Sequence, residues 1–223
     1  MAIAPARELK IGVLINKTLD VLEKNWATVL LFIVVIGAIN AGMTYLGQSR
    51  TAVTQQLGLT GMAIIAGVLV NYFLIGILLK KTGFKDKGEG GHIVPFFGLS
   101  ILYTLGVGLG FVLIIIPGLI VMARWSVAQP LFISRGGGVM ESLGQSWNQT
   151  RGNEFPIIIA GLAMTIIFFA ISFAAPSFLG EESILGLVVS QVSAAVMTVI
   201  FSSLSVVLYG LIVAAREVSE TFD

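Results

Sequence analysis

The chain has 223 residues, of which 56% are hydrophobic and only 11% charged, with 13 basic and 12 acidic side chains for a net charge of +1. An ordinary soluble domain carries about 25% charge, so this chain lacks the polar surface to face water on all sides and reads as an integral membrane protein. Lipid offers no partner to bare backbone and the apolar runs lack a barrel's alternation, which leaves an all-α polytopic membrane bundle as the fold class.

Residues 1 to 20 carry scattered charges and no uninterrupted apolar run before a small-residue cleavage site, so no removable signal peptide is expected. Residues 7 to 25 are amphipathic. Ile11, Leu14, Ile15, Thr18, Val21 and Leu22 recur at helical spacing, while Lys10, Lys17, Asp20 and Lys24 share the other side. That pattern predicts a helix lying in the membrane interface. Spans are expected at 26–47 and 59–79, separated by a mostly neutral polar loop, and followed by the basic loop KKTGFKDKGEGG at 80–91. Two further spans, 97–116 and 118–134, are divided only by Pro117 and Gly118, which predicts a tight hairpin turned at the outer surface.

A second interfacial helix is expected at 138–151, with Val139, Met140, Leu143 and Trp147 as its apolar stripe and Gly152 as its stop. Spans 155–175 and 184–213 complete a single membrane domain over 1–223, with about six crossings. Pro95 and Pro156 stand near helix starts and Pro176 just past an end. The order of interfacial helix, outward span and return span occurs twice, which points to two parallel repeats flanking 97–134.

Charge orients the bundle. Arg7, Lys10, Lys17, Lys24, Lys80, Lys81, Lys85, Lys87, Arg135, Arg151 and Arg216 fall on one side, Arg50 alone on the other, and Arg124 within the membrane. Basic segments stay cytoplasmic, so both termini are expected inside. A re-entrant hairpin over 97–134 would give the same count.

From a turn at Pro117, Arg124 is expected about 10 Å deep in the outer half of the bilayer. Three roles suit it: a snorkelling or internally paired arginine beside Trp125, an anion or lipid-phosphate ligand in a polar cavity, or a partner for Glu181 or Glu182. Asn40, Asn71, Gln191, Ser202, Ser203 and Ser205 lie in apolar spans, where interhelical hydrogen bonds are the ordinary use of such groups. Asn71 and Gln191, with Arg124 and Trp125, are the candidate lining of a ligand or lipid site. Lys80, Lys81, Lys85, Lys87, Trp147 and Arg151 are expected to meet lipid headgroups.

Gly106, Gly108 and Gly110 form a small-residue face for close helix packing, within the chain or between copies. No paired carboxylates, nucleophile with a base, or metal-ligand spacing occurs, and cysteine is absent. No catalysis, cofactor or nucleic acid is therefore expected, and His92 reads as a loop residue near the headgroups.

The passage IPGLIVMARWSVAQPLFISRGGGVMESLGQSWNQTRGN, residues 116 to 153, together with EKNW before the first span, resembles the membrane domain of some glycerophosphoryl diester phosphodiesterases and the related YciC-like bacterial inner-membrane proteins. The resemblance implies a six-helix inner-membrane protein without an established reaction, since the phosphodiesterase activity of the longer relatives belongs to a separate soluble domain. The expected role is non-enzymatic, through membrane lipids, other envelope proteins or a second copy. The alternative is a small transporter or channel with a polar site near Arg124.

Overall fold

The computed structural model describes residues 9–48, 53–85, 90–179 and 184–214. Within them the chain forms α1 (Ile11–Lys24), α2 (Trp26–Gln48), α3 (Val53–Thr82), α4 (Ile93–Leu113), α5 (Ile115–Arg124), α6 (Ala128–Arg135), α7 (Val139–Gln149), α8 (Glu154–Leu179) and α9 (Ile184–Tyr209). A π-helical turn, Gly210–Ala214, continues α9. Among the described residues, five segments are long and apolar enough to cross a membrane: Trp26–Gly47, Val53–Thr82, Ile93–Leu113, Ile115–Arg135 and Val188–Ala214. The expected sixth, 155–175, falls within the 26 residues of α8, of which the apolar stretch Glu154–Ile166 lies among the residues whose side chains are described.

Four helices begin alike. Pro95, Pro117, Pro130 and Pro156 are each the third residue of α4, α5, α6 and α8. The first four N–H groups of a helix have no partner within it, so proline there breaks no bond of its own helix and presets φ. This relocates the hairpin expected at Pro117 and Gly118. The chain turns instead at Ile114, which is extended with φ −161° and ψ 147°, and Pro117 lies inside the first turn of α5. Proline suits the position past one helix and the first turn of the next equally well, and the sequence pattern does not separate the two.

α4 and α5 pack antiparallel through glycine. A Cβ on Gly110 would lie 2.8 Å from the Cα of Gly118, and one on Gly106 would lie 2.1 Å from the indole of Trp125. Gly108 faces open space, so the small-residue face serves packing within the chain at two of its three positions.

Other boundaries also move. α3 begins at Val53, several residues before the expected 59, and α8 continues through Pro176 to Leu179. α3 closes with a Schellman turn: Gly83 has φ 75°, its N–H bonds the Lys80 carbonyl at 3.4 Å, and the Phe84 N–H bonds the Leu79 carbonyl at 3.0 Å. The turn throws the ring of Phe84 onto Gly210, where a Cβ would sit 2.3 Å from it.

α9 is the axial helix, with 61% of its apolar window buried against 17% in α2 and 22% in α3 and α4. Leu14, Leu74, Leu78, Phe96, Phe132 and Tyr209 are buried around its C-terminal half. Leu31, Val34, Ile64, Phe73, Leu105 and Val112 are all more than half exposed on α2, α3 and α4. So much apolar surface has no stable place in water, and it forms the lipid-facing wall of a multipass protein.

α1 lies against α8 and α9 with the stripe that its spacing predicts: Leu14 and Thr18 fully buried, Ile11, Ile15, Val21 and Leu22 half-buried. α7 instead packs on α4, α5 and α6. The two amphipathic helices therefore hold different partners, and the packing does not repeat as the sequence order led us to expect.

Candidate functional site at a helix break

The span expected over 118–134 falls within the apolar segment Ile115–Arg135 but is not one continuous helix. α5 stops at Arg124, and Trp125, Ser126 and Val127 turn before α6 begins. The Ala128 N–H bonds the Trp125 carbonyl at 3.0 Å and not that of Arg124. Pro130 has no N–H to offer Ser126 four residues back. Two carbonyls thus lose their helical partners. A bare carbonyl costs several kcal/mol in hydrocarbon, so broken backbone survives at membrane depth only where other groups satisfy it.

Hydroxyls from other helices do so. Ser146 Oγ donates to the Arg124 carbonyl at 2.8 Å, Thr150 Oγ1 shares its one proton between that carbonyl at 3.0 Å and the Ser146 carbonyl at 2.8 Å, and Ser205 Oγ donates to the Ser126 carbonyl at 2.5 Å. Ser126 Oγ turns back to the Ala123 carbonyl at 2.8 Å. This use of α7 corrects its expected facing: Ser142, Leu143 and Ser146 are buried, whereas Met140 is 71% exposed. Apolar periodicity could not register a face whose task is hydrogen bonding. Gly152, with φ 84°, stands in the turn after α7 as its expected stop.

The Arg124 side chain turns toward the start of α8. Its Nη1 donates to the Trp147 carbonyl at 2.9 Å, its Nη2 pairs with the Glu154 carboxylate, and its guanidinium carbon stands 5.2 Å from the Trp147 ring centroid. It is an internally paired arginine at the end of the bundle that holds α7, and does not reach outward. Glu154 is its partner; Glu181 and Glu182 lie outside the described residues.

Beside this break is a cavity of about 650 Å³ between α3, α4, α6 and α9. Asn71 Nδ2 donates to Gln129 Oε1 at 3.0 Å, and Ser202 Oγ shares its one proton between Asn71 Oδ1 at 2.9 Å and the Thr198 carbonyl at 2.8 Å, joining three helices on its wall. Ser100, Tyr103, Thr104, Ser126 and Ser205 add hydroxyls; Val68, Met122, Trp125, Phe201 and Leu208 supply apolar wall. The Ser100 hydroxyl is buried and has no protein partner. Among the described residues no charged side chain lines the cavity. Exposed Ile64, Thr104 and Thr198 at one side and buried Ala123 and Leu208 at the other show that it runs from the lipid-facing surface into the interior.

Trp125 is the inner wall. Its ring rests on Gly106, 6.3 Å from Tyr103 and 6.5 Å from Trp147, dividing the cavity from the Arg124 and Glu154 pair.

No protein-family model matches the chain, and no solved structure matches it significantly.

Of the ligand-site residues expected from sequence, Asn71 and Trp125 line the cavity and Arg124 adjoins it with its charge directed away. Gln191 is elsewhere, donating to Thr44 Oγ1 at 3.1 Å between α9 and α2. Lys80, Lys81, Lys85 and Arg151 are exposed at the end that holds α1 and α7, where Trp147 is 38% exposed; Lys87 lies outside the described residues. Sequence reasoning missed Gln129, Ser100, Ser146, Thr150 and Glu154. The signal for Gln129 was present, as an amide immediately before a proline in an apolar run.

Proposed function

We propose that this is a non-enzymatic multipass protein of a bacterial inner membrane, with both termini cytoplasmic, that holds an uncharged amphiphile in the cavity at the α5–α6 break. The observation that carries the reading is the cavity's lining: amides and hydroxyls in the interior, apolar wall, no charge among the described residues, and an opening toward lipid. An ionic ligand would be buried there without a counter-charge, at a cost of several kcal/mol, whereas a hydroxyl or amide head finds partners. At about 650 Å³ the space lies within the range of small-molecule sites.

Orientation is supported by the basic residues. Lys10, Lys17, Lys24, Lys80, Lys81, Lys85, Arg135 and Arg151 gather at the end that carries α1, α7 and the start of α8. Envelope proteins and further copies of this chain remain its proposed partners, on the resemblance of residues 116 to 153. The break itself favours one second reading, passage of a small neutral solute, since satisfied irregular backbone lines transport sites.

The test is gentle extraction followed by native mass spectrometry and lipid identification. One neutral amphiphile per chain is expected to co-purify and to be lost in Asn71→Leu with Gln129→Leu. If no neutral amphiphile is retained, or if the double variant retains it equally, the reading fails.

A further inference from the structure

A second cleft, of about 400 Å³, lies at the opposite chemical extreme. It is walled by Lys17, Asp20 and Lys24 of α1 and Lys81 at the end of α3, over a floor of Val21, Phe84, Val207 and Leu211. Residues 17, 20, 21 and 24 are spaced i, i+3, i+4 and i+7, so one stripe of α1 faces the cleft. The Schellman turn after α3 completes it by carrying Phe84 beneath the lysines. Lys81 Nζ donates one of its protons to Thr28 Oγ1 at 2.5 Å, which fixes the ammonium at the rim.

Among the described residues, no carboxylate lies within ion-pair distance of Lys17, Lys24 or Lys81. Among the described residues, three ammonium groups and the single carboxylate of Asp20 leave the cleft two positive charges in excess. Ammonium groups brought together on two elements without carboxylate partners repel one another, and a dianion or monoanion between them removes that repulsion. Rigid bidentate recognition would call for arginine; three flexible point charges suit the diffuse charge of a phosphate ester. The floor adds what a free ion does not need. Val21, Val207 and Leu211 are apolar and adjoin α9, so an apolar tail attached to the phosphate has surface to lie on.

We propose that this cleft binds a phosphate-ester anion, with the apolar floor receiving the body of a phosphate-bearing amphiphile. The site is separate from the uncharged cavity at the helix break, and either can fail without the other.

The experiment uses the full chain in detergent micelles, delipidated and titrated in three arms: phosphatidylglycerol, phosphatidylcholine, and the water-soluble glycerol 3-phosphate. Native mass spectrometry reads the first two, and displacement of bound phosphatidylglycerol reads the third. One phosphatidylglycerol per chain is expected to survive conditions that strip phosphatidylcholine. Lys17→Gln with Lys24→Gln is expected to weaken its retention roughly tenfold or more, since each basic residue near an anionic surface contributes about a fivefold factor. Lys17→Arg with Lys24→Arg should restore most of it, and Lys10→Gln, exposed at the start of α1 outside the cleft, should leave it unchanged. Displacement by glycerol 3-phosphate at comparable concentration assigns the site to a soluble phosphate ester, and failure to displace assigns it to lipid. Equal retention of phosphatidylcholine, or equal loss in Lys10→Gln, would overturn the proposal. These surface substitutions touch no core residue, and an unchanged melting temperature confirms the fold in each variant.

Discussion

At the scale of the residue, Arg124 shows how a charge is kept in an apolar chain. Its side chain is 13% exposed and that of Glu154 24%, so the pair is drawn partly out of water and each ion depends on the other. Removing one partner of a fully buried pair costs about 3–5 kcal/mol. Since Glu154 retains some solvent, we expect about 2 kcal/mol for Arg124→Leu, seen as a melting temperature lower by roughly 5 °C in detergent. Glu154→Gln in the same chain should recover about half of that loss, because the neutral amide no longer needs a cation. A double-mutant cycle measures this coupling directly, and additive losses would show that the two side chains act independently. That Arg124 would be paired was legible from its place in an apolar run. Its partner was not, because Glu154 approaches only after α6 and α7 have folded back between them.

At the scale of the element, the break between α5 and α6 is satisfied from a distance. Nothing local in residues 115 to 135 reveals that Ser146, Thr150 and Ser205 will cover two open carbonyls, which is why the break inside this span was not foreseen. The amphipathic facing of α1 was legible because its apolar stripe alone decides it. The same reasoning misplaced the face of α7, whose buried side is set by hydroxyl chemistry. If Pro130 is what opens the Ser126 carbonyl, returning an N–H should lessen the need for Ser205. Ser205→Ala is expected to cost about 1–2 kcal/mol by leaving a buried carbonyl unpaired. In a Pro130→Ala background the same substitution should cost less than half as much. Thermal unfolding of the four chains measures this, and an equal cost in both backgrounds would separate the hydroxyl from the proline.

At the scale of the whole molecule, the lipid-facing wall and the helical class follow from composition and were legible for that reason, whereas the axial place of α9 was not, since its apolar content matches that of its neighbours. The turn between α4 and α5 decides whether this hairpin crosses the membrane. α4 has 21 residues, which at about 1.5 Å each matches the ~30 Å hydrocarbon thickness, whereas a re-entrant limb would need only part of it. Leu113 is 77% exposed at the tip, and the chain has no native cysteine. In sealed vesicles a membrane-impermeant thiol reagent should label Leu113→Cys from the side opposite Lys85→Cys; labelling of both from one side would make the hairpin re-entrant.

The cavity itself is tested most directly through Trp125, which forms its inner wall. Trp26→Phe with Trp147→Phe leaves Trp125 as the single indole, and a brominated monoacylglycerol supplies both an uncharged head and a quencher. We expect saturable quenching, abolished by Gly67→Leu, which places a side chain at a lining position with no neighbour within 4 Å. Quenching that rises linearly with the brominated lipid and is indifferent to Gly67→Leu would contradict the account.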